Sequence, residues 1–409
     1  MRRYFLAAGG ILLFCNHSYS QLIKGTGKYL DGSSINAITT AVPFLMISPD
    51  SKQGAMGDVG AATDPDVNSI FWNGSKLAFT DKKFGIGATV TPWLRQLVPD
   101  INMSYLSGYV RINSKQVVGG SLRYFSLGNI DLTNSQGVQT GSYKPNEYAI
   151  DLAFSQKLSK YFSLGVATRF INSGISRVYY NGGSGNAAST FAADLSAYYK
   201  SDKFKLGDKK AVATAGLAIT NMGAKIRYSN DENFIPTNMR LGAGLKTDID
   251  NYNTFSVYLD FNKLLVPTPP VYVTDSAGNI VTSPVDGKKE ISKGKDPNVP
   301  VVKGMLQSFN DAPGGIKEEL QEINQSIGVE YCYDNTFAVR AGFFHESRNK
   351  GARQYFTMGM GFHFKVITVD GSYLIPAGSV NNPLQRTWRI SLSFNFDGFN
   401  GDEKKEPQE

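Results

Sequence analysis

The chain has 409 residues and a formal net charge of +7, and Arg2 and Arg3 supply two of those charges. The rest of the chain is only mildly basic, which argues against a nucleic-acid partner. Two cysteines, Cys15 and Cys332, exclude a disulfide-built scaffold. Aromatics at 12% and 42 glycines favour a sheet-rich chain. Beyond the N-terminus no run of eighteen apolar residues occurs, so a membrane helix is excluded.

Residues 1–20 read as a secretory signal. Arg2 and Arg3 give the positive start, Phe5 through Phe14 the apolar run, and Ser18-Tyr19-Ser20 the small-residue site before Gln21. The bulky Phe14 argues against lipid attachment at Cys15. Residues 21–83 carry glycines and turn signals but no alternation, and predict an N-terminal plug packed inside or under the remainder of the fold.

From Phe84 onward the pattern changes to strict alternation. Fourteen strands are predicted, near 84–92, 101–110, 117–127, 146–158, 161–172, 190–200, 211–221, 236–247, 254–263, 326–333, 336–345, 354–364, 366–375 and 387–396. The last is the clearest. Trp388, Ile390, Leu392, Phe394 and Phe396 share one face, and Arg389, Ser391, Ser393 and Asn395 share the other. Its ten residues match the length of a tilted strand crossing a bilayer.

The connections decide the architecture. After even-numbered strands they are short: 112–116, 159–160, 248–253, 334–335 and 365, with 201–210 the longer exception. After odd-numbered strands they are mostly long: 129–145, 173–189, 223–235, 264–325 and 377–386. Short turns at one end and long loops at the other predict an all-β outer-membrane barrel of about fourteen antiparallel strands, residues 84–396. The even count puts both chain ends on the short-turn, periplasmic side and the long loops outside the cell. Residues 397–409 predict a flexible tail.

The face opposite the apolar one carries Arg123, Asp151, Arg169, Asp194, Arg240, Asp260, Glu330, Arg340, Asp370 and Arg389. Five basic and five acidic groups suit a filled interior held by ion pairs better than an ion-selective pore. Trp93, Tyr109, Tyr124, Tyr148, Tyr199, Phe255, Tyr355 and Trp388 fall near strand ends, where membrane-interface aromatics are expected.

The 264–325 connection exceeds what a compact domain carries idly. Its proline-rich first part holds Pro267, Pro269, Pro270 and Tyr272. Its second part, 311–325, has Ile316, Leu320 and Ile323 at helical spacing. These seven residues are the expected partner contacts.

Little in the chain marks a site for chemistry. His345-Glu346 lacks the second histidine of a zinc helix, and nothing marks a nucleophile elbow. Gly85-Ile86-Gly87 and Gly359-Met360-Gly361 sit inside strands, where small residues would make room for a plug. No catalytic, metal or cofactor site is expected.

Three stretches then stand out together: 37–45, the run from Ser48-Pro49-Asp50 through Gly54-Ala55-Met56-Gly57-Asp58 to Thr63, and 66–69 leading to Trp72-Asn73. They resemble the start of PorV-like proteins of the type IX secretion system of Bacteroidota-type bacteria. The likeness covers nearly the whole chain after the signal. It departs at Lys52-Gln53 and Gly74-Ser75, where Arg-Ala-like and Pro-Ala-like pairs are commoner. The resemblance implies a FadL-like barrel and a non-enzymatic carrier. Such a carrier would take the C-terminal signal domain of cargo from a SprA- or Sov-like translocon to an attachment complex with a PorU-like sortase. The alternative reading is a FadL-type transporter of hydrophobic small molecules, with the N-terminal segment as its hatch. A third is a structural or adhesive barrel.

Overall fold

The computed structural model describes residues 35–94, 100–175, 187–228, 232–377 and 387–397, with the backbone of two short strands, Leu22–Ile23 and Lys28–Tyr29. The expected signal, nearly all of the expected tail, and the loop residues 176–186 and 378–386 lie outside that set.

Fourteen strands form the wall. They are β1 (Phe84–Pro92), β2 (Asn102–Arg111), β3 (Gln116–Ser126), β4 (Asn146–Lys157), β5 (Phe162–Ser173), β6 (Ala188–Lys200) and β7 (Lys209–Gly223), then β8 (Asn238–Asp248), β9 (Asn253–Leu264), β10 (Asn324–Tyr333), β11 (Phe337–His345), β12 (Gln354–Phe364), β13 (Ile367–Pro376) and β14 (Trp388–Phe396). Each pairs antiparallel with its neighbours in sequence, and β14 pairs with β1, Phe396 opposite Phe84, closing the barrel. A short strand, Phe204–Leu206, extends the β6–β7 hairpin by pairing with β7.

Alternation sets the two faces. On β4, Ile150, Leu152 and Phe154 are exposed while Ala149, Asp151, Ala153 and Ser155 are buried. Closure leaves no unpaired edge, so the outward apolar band can face lipid without exposing backbone polar groups. The turns after even-numbered strands are tight, except the longer one between β6 and β7. Asp334 and Asn335, between β10 and β11, both take positive φ (47° and 50°), as a hairpin whose twist matches its strands requires.

The aromatics divide. Tyr124, Tyr199 and Phe255 are exposed on the outer face. Tyr109 and Tyr355 are buried inside, and Trp93 packs on interior clusters. Position near a strand end does not set direction; strand parity does.

Residues 35–83 occupy the lumen. They form short turns of helix, Pro43–Met46, α1 (Ser51–Gly54), α2 (Ser69–Trp72) and Gly74–Phe79. Inward glycines on the wall give them room. A Cβ at Gly87 would lie 2.6 Å from Val67, at Gly165 2.6 Å from the Ser75 backbone, and at Gly328 2.5 Å from Met56. At Gly359 it would lie 2.6 Å from Ala55, whereas at Gly361 it would meet the Arg340–Asp370 pair instead of the plug. Toward the long-loop end, Val42, Phe44 and Leu45 join Met103, Phe125, Ile171, Ile226 and Ile235 in one apolar cluster.

Candidate partner-binding rim

The lumenal charges are all buried, in two separate clusters with three members outside them. Neighbouring strands carry the first chain of pairs. Asp151 takes Arg123 at 3.5 Å and also Arg169, and Arg169 reaches Asp194 at 2.9 Å. Ser121 donates to Asp151 at 2.6 Å, and Arg123 donates to the Leu45 carbonyl at 3.0 Å. In the second cluster Arg340 bridges Glu330 and Asp370, both at 2.6 Å, across β10, β11 and β13.

The other three charges hold the plug. Asp260 accepts the backbone N–H groups of Gly60 (2.7 Å) and Ala61 (2.9 Å). Arg240 donates to the Trp72 carbonyl at 3.1 Å and lies over the Trp72 ring at 4.8 Å. Arg389 sits 3.8 Å from Asp58, in space that a side chain at Gly54 would fill. Charge pairing across the wall therefore uses seven of the ten groups; the rest meet the plug, and Arg240 also donates to Asn262 on β9 at 2.8 Å.

The N-terminal motif is the plug's own set of fastenings. Pro49 is buried, and Asp50 caps α1 by accepting from Gln53 N at 3.0 Å and from Trp72 Nε1 at 2.6 Å. Burial, with Asp66 nearby, pushes the Asp50 carboxyl up to about 7. Met56 packs against Gly328 and Gly342. Gly57 takes φ +70° and donates its N–H to Thr357 at 2.7 Å. Asp58 accepts from Tyr355 at 2.5 Å. Asn73 donates to the carbonyls of Ala61 (2.9 Å) and Ala197 (3.0 Å). Gln53, at one departure from the family pattern, donates to Asp66 at 2.7 Å. Burial also pushes the Lys76 ammonium down to about 8, where it donates to Gly60 O and Thr63 Oγ1, each at 2.8 Å.

Above this base the connection between β9 and β10 is folded. A two-stranded ribbon pairs Val271–Tyr272 with Ile291–Lys293 and runs outward through bridges Thr274–Ile280 and Thr282–Lys289. Two helices come next, α3 (Val301–Gln307) and α4 (Ile316–Gln321). The helix over 311–325 is thus shorter than expected, and α3 is additional to it. Pro313, Gly314 and Gly315, the last at φ +66°, delay the start of α4, and pairing with Asn262 draws Asn324 into β10.

The prolines are foundation rather than contact surface. Pro267 and Pro270 are buried, with Gly304 packed close to Pro267 and Gly294 to Pro270. Pro269 is half-buried and its carbonyl accepts from Asn36 at 3.2 Å. Tyr272 lies under Lys289, 5.5 Å from its ring.

α4 is reversed relative to an ordinary amphipathic helix. Its carboxylates face the barrel: Lys263 reaches Glu322 at 2.5 Å and Glu319 at 3.1 Å, and Lys350 reaches Glu318 at 2.6 Å and Glu322 at 2.9 Å. Ile316 (80% exposed) and Leu320 (62%) are left open beside the outer wall of β8 and β9, with Ile323 half-buried. Thr268 ties the loop's two feet together, donating its N–H to Asp311 at 3.1 Å and its hydroxyl to Glu322 at 2.6 Å. Burial, with Glu319 and Glu322 adding to it, pushes Asp311 up to about 6.

Of the two histidines after residue 20, His345 stacks on Phe343 and His363 meets Thr368 at 2.8 Å. Among the described residues no group of three His, Cys, Asp or Glu could hold a metal ion, and no helix is long and apolar enough to cross a membrane.

A closed, plugged barrel with a greasy outer band and folded loops at one rim defines the class as a transmembrane β-barrel of fourteen strands. The type IX secretion system protein PorV family matches residues 31–271. The chain belongs to that family and is an outer-membrane component of type IX secretion in a Gram-negative bacterium. No curated protein matches the sequence. Similar solved structures include the P. putida toluene transporter TodX, at 13% identity over 87% of this chain and 100% of that one, TM-score 0.47. A Pseudomonas aeruginosa FadL homologue is 14% identical over 89% of this chain and 100% of that one, TM-score 0.39. At these scores neither likeness carries an argument, and the strand count rests on the pairing itself.

Proposed function

We propose that this chain is a carrier and adaptor: it takes the C-terminal signal domain of secreted cargo at the type IX translocon and delivers it to the attachment complex that holds the sortase. The short turns then face the periplasm and the long loops face out. One observation carries the reading within the family: the lumen is packed with the chain's own plug, so the surface left for work is the rim. The folded 264–325 connection is its largest element, and the 129–145 loop stands on another sector of the same rim. The rival reading, an uptake channel for hydrophobic molecules with this segment as its hatch, would need the same packed plug to open.

The test replaces the ribbon residues 273–290 with a short Gly-Ser link, leaving Thr268, Asp311 and α4 in place. Secreted cargo should fall at least about tenfold, while heat-modifiable mobility of the barrel on gels is retained. Unchanged secretion with an inserted barrel overturns the assignment to this loop. Dependence of growth on this protein with a fatty acid as carbon source would favour the uptake reading.

A further inference from the structure

The outward reversal of α4 creates a site that carrying cargo does not require. Met239 and Leu241 on β8 and Phe261 on β9 have the parity of the lipid-facing band, and lie within four residues of the long-loop ends of their strands. Over them hangs the loop, presenting Phe309, Leu320 and Ile323. Between wall and loop runs a slot of about 460 Å³, a volume within the usual range for small-molecule sites. Its lining is apolar except at one end, where Lys263 is held by Glu319 and Glu322.

Lys263 makes this arrangement unusual. By parity it belongs to the outer face, where a bare ammonium would meet lipid, and the loop's carboxylates neutralise it there. The latch that neutralises the lysine therefore also fixes the roof of the slot. Leu320 at the roof remains exposed, and at the floor Leu241 and Phe261 are also largely exposed, so the slot lacks an occupant of its own.

We propose that the slot holds one acyl chain of a membrane lipid, which lies under α4 and fills the gap between the loop and the wall. Continuity selects this occupant. The floor of the slot is the same surface that bulk lipid wets over the rest of the barrel, and a chain enters sideways without crossing water. The polar end favours a hydrocarbon over an anionic head, because Glu318, Glu319 and Glu322 outnumber Lys263 and Lys350. The proposal does not rest on the carrier function: the slot follows from the fold and the membrane alone.

The test uses the full-length protein in phosphatidylethanolamine vesicles containing a trace of the same lipid with a diazirine on one acyl chain. After irradiation, adducts on Phe309, Leu320 and Leu241 should exceed those on Ile150, which is equally outward on distant β4, by about tenfold. Leu320→Trp, which fills the slot from an exposed position, should remove the excess. Ile150→Trp should leave it intact, with heat-modifiable mobility confirming that both variants fold. Even labelling of all outward residues overturns the proposal. So does an excess that Leu320→Trp leaves unchanged. Stronger capture of a diazirine fatty acid than of the phospholipid would assign the slot to a diffusing ligand and overturn the membrane source. A photoreactive side chain at position 320 in cells that yields protein adducts and no lipid adduct would overturn it as well.

Discussion

The plug and the long loop both lack the alternating pattern of the wall, and they are held in opposite ways. The plug touches strands all round the barrel through backbone contacts at missing side chains and through neutral or charge-assisted bonds to N–H and C=O groups. The loop stands on one sector, over β9 and the 346–353 connection, and its grip is ionic, from Lys263 and Lys350 to three carboxylates. A segment fixed from many directions has one arrangement. A segment fixed at its feet can move its outer parts while the feet stay put. The difference makes the plug a fixed support and leaves the outer loop the part with freedom to move.

The largest expected effect comes from crowding the plug. At Gly216 a Cβ would overlap the Ala61 backbone, so Gly216→Val should cost about 3 kcal/mol or more and expose residues 50–65 to protease added to the open barrel. Asp50→Ala should come next. It strands the Trp72 Nε1–H and the Gln53 N–H in a buried site, at about 2 kcal/mol, read as a lower midpoint of thermal unfolding in detergent. The loop should respond locally. Lys263→Met leaves Glu319 and Glu322 short of a partner, so amide exchange in 309–323 should quicken about tenfold or more while exchange in 50–73 is unchanged. Exchange that quickens equally in both segments would erase the contrast between them.

The smallest effect has the opposite sign. Asp311 ionises in the docked loop only above about 6, whereas free it would do so near 3.8. Docking therefore weakens as pH rises between those values and stays weakened above them. Asp311→Asn keeps an acceptor for Thr268 and removes the charge facing Glu319 and Glu322. It should slow exchange in 266–270 at about pH 7 and make no difference at about pH 4. Equal slowing at both values would mean that the charge is not the cause.

Much of this was legible in the chain. Each of the fourteen strands falls within about three residues of its predicted span, because alternation is a local property that burial of one face enforces. The same parity picked out the buried charges. Tyr109 and Tyr355 misled because an aromatic near a strand end looks alike whether it points to lipid or to Asp58. α4 misled for a related reason. Spacing shows that Ile316 and Leu320 share a face, but which face meets the barrel was set by Lys263 and Lys350, one at the end of β9 and the other eighty-seven positions further on.

By itself the sequence determined the strand count, the in-or-out sense of the alternating wall positions, though not of every strand-end aromatic, and the ends that carry loops, since all three follow from periodicity and chain length. The tertiary structure alone decided the partners: which arginines answer a wall carboxylate and which hold the plug, and that a helix turns its charges inward. Partnership depends on register and closure, which bring together groups such as Asp58 and Arg389 that no local pattern connects.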